Sequence, residues 1–424
     1  VFALVVAVAL VPMRVVTLDD AMALARDADL RLETTRIDED AALLRTGDAF
    51  ARVLPTIEAG AGITRNAKEI VIGDRIVTPL YVPNANVVGR MPLFRGPDLP
   101  NAIATFYEGR AVNAESGELR ESYANDVATL FLALAEADMV YTLAREAHAR
   151  AAERRRIAEA RVAIGEAIAL ESNDARAEEA RALAVLAGIE RDRADVLAFF
   201  RLRTGIDDDE ALTFECERCV LPPEEQDDAR FMQLRGDLVA LRRRGTASIA
   251  DELAHAGAFL PTVDAVANAR LQQPTLFNPE PLWWTAQISL TWTIFGGTSP
   301  SGGTRMLSLL ERDRRRARID VTKRLLTDEI RAAGVRAAAT HRAALALSEA
   351  TAIESDAARA ALTVVEARYA EGEASSLDLS FAARRAADAD QASARARFQA
   401  ERAALAWRRT LGLGPTDDGE NHGG

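Results

Sequence analysis

The sequence repeats itself after about 207 residues, and that interval limits the folds open to it. Leu54-Pro55-Thr56-Ile57-Glu58-Ala59 returns as Leu260-Pro261-Thr262-Val263-Asp264-Ala265. Arg161-Val162-Ala163-Ile164-Gly165-Glu166-Ala167 returns as Arg368-Tyr369-Ala370-Glu371-Gly372-Glu373-Ala374, and Thr204-Gly205-Ile206 as Leu411-Gly412-Leu413. Phe94, in Pro-Leu-Phe-Arg-Gly, matches Phe295, in Thr-Ile-Phe-Gly-Gly, at a slightly shorter offset, so the loop between the strands differs in length. The interval far exceeds that of common solenoid repeats, which points to duplication of a whole unit. The join falls near residues 207–230, rich in acidic residues and proline.

Each copy has the same order: a helix (about 18–50, then 229–258), two strands, a very long helix (about 98–163, then 303–370), a glycine turn and a second helix (about 168–203, then 375–411). The expected organisation is a signal remnant over 1–17, a first repeat over 18–206, a linker over 207–228, a second repeat over 229–413 and a disordered tail over 414–424. A helix of about 65 residues is a rod of about 100 Å, which must pack beside other rods. Alanine supplies the contacts, with Ala382, Ala383, Ala386, Ala387, Ala389 and Ala392 as the clearest run. Small side chains bury little area, so stability needs a long interface.

The net charge of -12 argues against a nucleic-acid binder. The only cysteines, Cys216 and Cys219, lie near Pro222-Pro223 without a neighbouring histidine, so they suit an incidental or locally oxidised pair better than a zinc or redox site. His148, His255, His341 and His422 are scattered. No nucleotide-binding loop, serine-hydrolase elbow or zinc-protease motif is present, so the chain reads as a non-enzyme without metal or cofactor. The apolar run Val1–Val11 is too short to span a bilayer and fits the core of a secretory signal; a first buried strand or helix is the other reading. No other segment reads as a transmembrane helix, so entry into a membrane would be by strands.

Residues 282–295 alternate with period two. Trp284, Ala286, Ile288, Leu290, Trp292 and Ile294 share one face; Trp283, Thr285, Gln287, Ser289, Thr291 and Thr293 share the other. Trp283, Trp284 and Trp292 lie where interfacial aromatics are expected. Val263, Ala265, Ala267, Ala269 and Leu271 alternate with polar residues in the preceding strand. In the first copy Ile57, Ala59, Ala61 and Ile63 form an apolar face, followed by Ala85, Val87, Gly89, Met91 and Leu93, where Val88 and Pro92 interrupt the polar side. Four such strands cannot close a barrel, and open edges are not tolerated in hydrocarbon, so three chains giving twelve strands is the simplest solution. A half-buried sheet lying on the helices of a non-membrane structural coiled-coil protein is the alternative.

These features resemble the outer membrane efflux protein family, the TolC-like outer membrane channels. The resemblance rests on the twofold repeat, Leu-Pro-Thr leading from helix into strand, Pro92-Leu93-Phe94-x-Gly96, and Arg368-Tyr369-x-x-Gly372-x-x-Ser375 before Leu377-Asp378, and it covers about residues 18–414. It implies a mixed α and β fold: duplicated antiparallel α-hairpins forming a periplasmic α-barrel, plus four strands per protomer in a trimeric 12-stranded transmembrane β-barrel. It implies a homotrimer in the outer membrane of a Gram-negative bacterium, surrounded by outer-membrane lipid. The activity implied is that of a passive exit duct for efflux or type I secretion, served by a periplasmic adaptor (membrane fusion) protein and an inner-membrane pump. The linker and terminal segments would form a band at mid-height.

By that resemblance the glycine turns lie at the periplasmic tip, and Arg161, Gly165, Arg368, Tyr369 and Gly372 are candidates for adaptor docking. Favourable charge at a helix carboxyl end is the alternative for both arginines. Glu171 and Asp378, just past each turn, would form a ring of six carboxylates in a trimer, favouring cations. Their other reading is charge at a helix amino terminus. The family's second gate acid is here Phe381, which would form an apolar constriction, and the basic latch residue is here Ala374.

Overall fold

The computed structural model describes residues 13–28, 30–206, 211–214, 220, 235–272, 280–292 and 302–415. The apolar run before Met13, Cys216, Cys219 and Pro222-Pro223, residues 293–295, and the tail beyond Pro415 lie outside the described residues. The elements are β1 (Met13–Val16), α1 (Leu18–Ala28), α2 (Leu30–Ala51), β2 (Thr56–Arg65), β3 (Ile70–Ile72), β4 (Arg75–Thr78), β5 (Tyr81–Phe94), α3 (Asp98–Ala163), α4 (Ala169–Thr204), β6 (Ala211–Phe214), α5 (Gly236–Gly257), β7 (Thr262–Gln272), β8 (Leu282–Thr291), α6 (Gly302–Ala370) and α7 (Ser376–Leu411). The long helices begin and end within a residue or so of the expected positions. Helix, strand pair, long helix and second helix occur in that order twice.

Local chemistry explains the boundaries. Pro100 sits in the first turn of α3, where a missing N–H costs nothing. α4 ends at Gly205 and α7 at Gly412, both left-handed. α1 opens on a reciprocal cap: the Asp20 N–H donates to Thr17 Oγ1 (3.2 Å) and the Thr17 N–H donates to Asp20 Oδ2 (3.2 Å).

The described chain divides into two compact units. The first comprises residues 1–34, 117–235 and 327–424. Its core gathers Met22, Val127, Phe131, Leu134, Phe200 and Leu405 from α1, α3, α4 and α7. β1 pairs in parallel with β6, register Val16 to Phe214. Phe214 lies edge-on to Phe131 (5.9 Å) and Phe200 (5.4 Å). The two strands depart from the expected organisation, which places Met13–Val16 in the leader and Ala211–Phe214 in the linker; Val16 is fully buried. Four residues are too few for period-two alternation to show. Part of α3 is also long and apolar enough to cross a bilayer, contrary to expectation. Val127, Ala128, Phe131, Leu132 and Leu134 supply that character and are buried in this core.

Between α6 and α7 the contact is alanine: Ala358, Ala386 and Ala389 cluster under Leu362, and Ala344 meets Ala400 and Ala403. Charged pairs stitch α3 to α4, including Arg154–Glu178 (2.9 Å), Arg155–Glu179 (2.7 Å) and Arg193–Asp138. Partly exposed pairs of this kind contribute at most about 1 kcal/mol each.

The second unit comprises residues 35–116 and 236–326. β2, β5, β7 and β8 form one antiparallel sheet in that order. β3 and β4 pair as a separate hairpin. Arg244 of α5 grips Glu115 of α3 (2.8 Å), and Arg312 of α6 grips Asp251 of α5 (2.8 Å). Where β5 hands over to α3, Gly96 touches Gly257 at the end of α5. A Cβ on either would collide with the other's main-chain carbonyl.

Candidate functional site: an open-edged sheet and two glycine turns

The register aligns the apolar residues of all four strands in rows. Ile57, Gly89, Ala267 and Ala286 make one row; Ala59, Val87, Ala269 and Trp284 the next; Ala61, Ala85, Leu271 and Leu282 the third. Met91, Ala265 and Ile288 continue the face. Since side chains alternate, this puts every expected apolar position within β2, β5, β7 and β8 but one on a single side. Ile57 (79 %), Ile288 (73 %) and Trp284 (71 %) are open to solvent there. An uncovered apolar sheet face of this extent marks a surface that meets lipid or another chain.

The exception is Leu93. A bulge between Pro92 and Phe94 puts Phe94 opposite Val263, so Phe94 takes the place expected for Leu93. Proline has no N–H for the ladder, and the strand absorbs the loss as an extra residue. The other side carries Glu58, Val88, Asn268 and Thr285 in one row and Thr56, Arg90, Val266 and Gln287 in another. Trp283 shares that polar side, opposite Arg270, while the Trp292 indole N–H donates to the Phe259 carbonyl (3.1 Å). Among the described residues, β2 and β8 are left as edges.

The helical turns are near copies. Gly165 (φ 80°) and Gly372 (φ 78°) are left-handed, a region that penalises side chains. In the first turn the Gly165 N–H donates to the Val162 carbonyl (3.1 Å) and the Glu166 N–H to the Arg161 carbonyl (2.9 Å). In the second the Gly372 N–H donates to the Tyr369 carbonyl (3.1 Å) and the Glu373 N–H to the Arg368 carbonyl (2.8 Å). This is the Schellman pattern, which satisfies the last carbonyls of a helix as it stops.

The helix starts that follow differ. α7 begins on Ser375, whose hydroxyl accepts from the Asp378 N–H (3.1 Å) while its own N–H donates to Asp378 Oδ2 (3.1 Å). The Ser375 hydroxyl also donates to that carboxylate (2.7 Å). The hydroxyl first, then the N–H, hold the Asp378 carboxyl below its ordinary value. α4 begins on Ile168, which offers no side-chain cap. Its acid, Glu171, accepts instead from the Tyr369 hydroxyl at the end of α6 (3.1 Å). The Arg161 guanidinium lies over the Tyr369 ring (5.4 Å). Burial, then the Glu171 charge, push the Tyr369 phenol above its usual value.

Thus Glu171, a candidate for the gate, meets Tyr369 and Arg161, both candidates for docking, in one cluster joining the first hairpin to the second. Asp378 stays within its own helix start. Phe381 is 62 % exposed and, with Leu362, Leu377 and Val185, lines a cavity of about 810 Å³. Arg368 is exposed. Sequence reading missed the Ser375 cap, although Ser-x-x-Asp signals one. It also missed the β3–β4 hairpin, whose signal is Gly73-Asp74 between Ile70-Val71-Ile72 and Ile76-Val77. Among the described residues no cluster of His, Cys, Asp or Glu could hold a metal ion.

No family model matches the sequence, and no curated protein matches it either. Solved structures do. The chain is similar to the MtrE outer membrane channel of Neisseria gonorrhoeae in its open state (TM-score 0.78, 19% identity, covering 94% of this chain and 89% of that one). It is similar to CusC (0.77, 16%, 94% and 92%) and to the CmeC outer membrane channel of Campylobacter jejuni (0.75, 15%, 95% and 87%). The long helices, the four-stranded sheet and the duplicated order of elements are therefore the fold of the TolC-like outer membrane channels.

Proposed function

We propose that the chain is a member of the outer membrane efflux protein family and one protomer of a trimeric exit duct in the outer membrane of a Gram-negative bacterium. The observation that carries this reading is the sheet: four strands, one continuous apolar face, and two edges without a strand partner among the described residues. In hydrocarbon each edge amide and carbonyl needs a partner, so β2 of one copy pairs with β8 of the next and three copies close a 12-stranded barrel. The two repeats, 18–206 and 229–413, each give two of the strands, and the segment over 207–228 joins them. Trp284 and Trp292 sit at the lipid boundary. The duct carries no catalytic group; it serves a pump in the inner membrane through a periplasmic adaptor, in efflux or type I secretion.

The duct supplies no energy, so its periplasmic tip is shut at rest and opened by its partners. The Tyr369–Glu171 hydrogen bond, braced by Arg161 on the ring, is the closing contact: it fastens the end of α6 to the start of α4. Asp378 adds negative charge at the start of α7, and Phe381 narrows the bore. Arg368 and the exposed backbone at Gly165 and Gly372 remain the docking surface for the adaptor, and Arg161 and Tyr369 change partners when it binds.

The test is extraction followed by reconstitution. The protein is expected to need detergent, to run as a trimer that resists mild heating, and to conduct ions in a planar bilayer. Recovery in plain buffer as a monomer removes the channel reading in favour of a structural coiled coil.

A further inference from the structure

The β3–β4 hairpin lies outside everything argued so far. It grows from the end of the sheet away from α2 and α3: β2 runs from Thr56, just after α2, to Arg65, and the ladder continues with the Asn66 N–H donating to the Leu80 carbonyl (2.8 Å). The Asn66 side-chain amide adds a bond to the Pro79 carbonyl (2.7 Å). β7 stops at Gln272, opposite Asn84, where its N–H donates to the Pro281 carbonyl (2.9 Å). The chain goes on through β3 to the left-handed Gly73, eight residues beyond the end of β2.

That ribbon is apolar on both sides. Ile70, Val71, Ile72 and Ile76 are between 42 and 61 % exposed, and nothing among the described residues covers them. A lone two-stranded hairpin is marginal in water, and a mostly apolar edge is a template for association; Arg75, at the start of β4, is the one charged residue in the two strands. The lysine or proline that would blunt it is not in β3 or β4. Lys68, Glu69, Asp74 and Arg75 cancel in charge, so copies of the segment do not repel one another. The hairpin is also continuous with β2, the edge strand at the proposed seam between copies.

We propose that the occupant of this apolar hairpin is the same hairpin of the other copies. Resting on the trimeric reading above, the three tips fold together over the outer mouth of the barrel and form an apolar plug, a second closure in series with the periplasmic one. Water and ions cross an apolar constriction poorly because it dewets.

Cysteine cross-linking tests this in the full-length protein with Cys216→Ser and Cys219→Ser as background. Ile72→Cys is expected to yield covalent dimers on mild oxidation of the detergent-solubilised trimer. Light scattering of the same sample separates the two readings: a monomer overturns the trimer itself, whereas an intact trimer without cross-links overturns only the plug. Quenching of a fluorophore on Ile72→Cys by brominated phospholipid would assign the tip to lipid and overturn the plug as well. In a second arm, Ile70→Ser with Val71→Ser, Ile72→Ser and Ile76→Ser is placed in a Tyr369→Phe background. Single-channel conductance at least twofold above Tyr369→Phe alone is the expected result, and equal conductance removes the plug.

Discussion

The two glycine turns make a controlled comparison inside one molecule. Both helices stop in the same way, with a left-handed glycine and the same pair of backbone hydrogen bonds. They part company three residues later. The second hairpin restarts on Ser375 with a reciprocal cap, complete within its own chain segment. The first restarts on Ile168 without one, and its acid reaches out to Tyr369 on the other hairpin. A helix start that caps itself is independent of its neighbours; one that lends its carboxylate to a neighbour is held by a contact that can be withdrawn. The first turn is thus the adjustable one and the second the fixed one.

Tyr369→Phe should break the comparison most sharply. It deletes a hydrogen bond to a carboxylate at a half-exposed site, worth about 1 kcal/mol, or, in the duct proposed above, about fivefold in the open-to-closed ratio. Channel recordings should show that rise, and Ser375→Ala should not reproduce it. Gly165→Ala and Gly372→Ala should each cost about 1 kcal/mol, because both force a side chain into the left-handed region. Near-equal losses in thermal unfolding would establish that the turns themselves are equivalent. The helix starts should respond in opposite directions: Ser375→Ala loses about 1 kcal/mol of local stability, whereas Ile168→Ser gains about 0.5 kcal/mol by supplying the missing cap. Amide exchange over the first turn of each helix reads both. The smallest effect is that of acid. The folded Asp378 carboxyl titrates below its ordinary value of 3.8, so its contribution is complete above that pH and fades as pH falls through the lower folded value. Exchange at 375–379 should therefore quicken in strong acid.

The long helices were legible because their period runs for dozens of residues, and the sheet because alternation and duplication coincided at Ile57 and Val263. The bulge after Pro92 was not legible: the alternation carries through Leu93 on paper, while the folded register passes from Pro92 to Phe94 and leaves Leu93 out. β1 and β6 were hidden because four residues carry no period, and their pairing depends on Phe214 finding Phe131 and Phe200 from distant segments. The site was half legible. The glycines and acids were visible one by one, but the contact of Tyr369 with Glu171 joins residues almost two hundred positions apart. Only the folded chain pairs them.

Gly96 and Gly257 carry a consequence for how such a chain can evolve. The obstacle facing a methyl group at either position is backbone, which has no rotamer to swing aside. No compensating change at the other position can make room, since a glycine has nothing left to remove. The two sites therefore constrain each other without any attraction between them, and descendants of this sequence should retain both or rebuild the whole crossing.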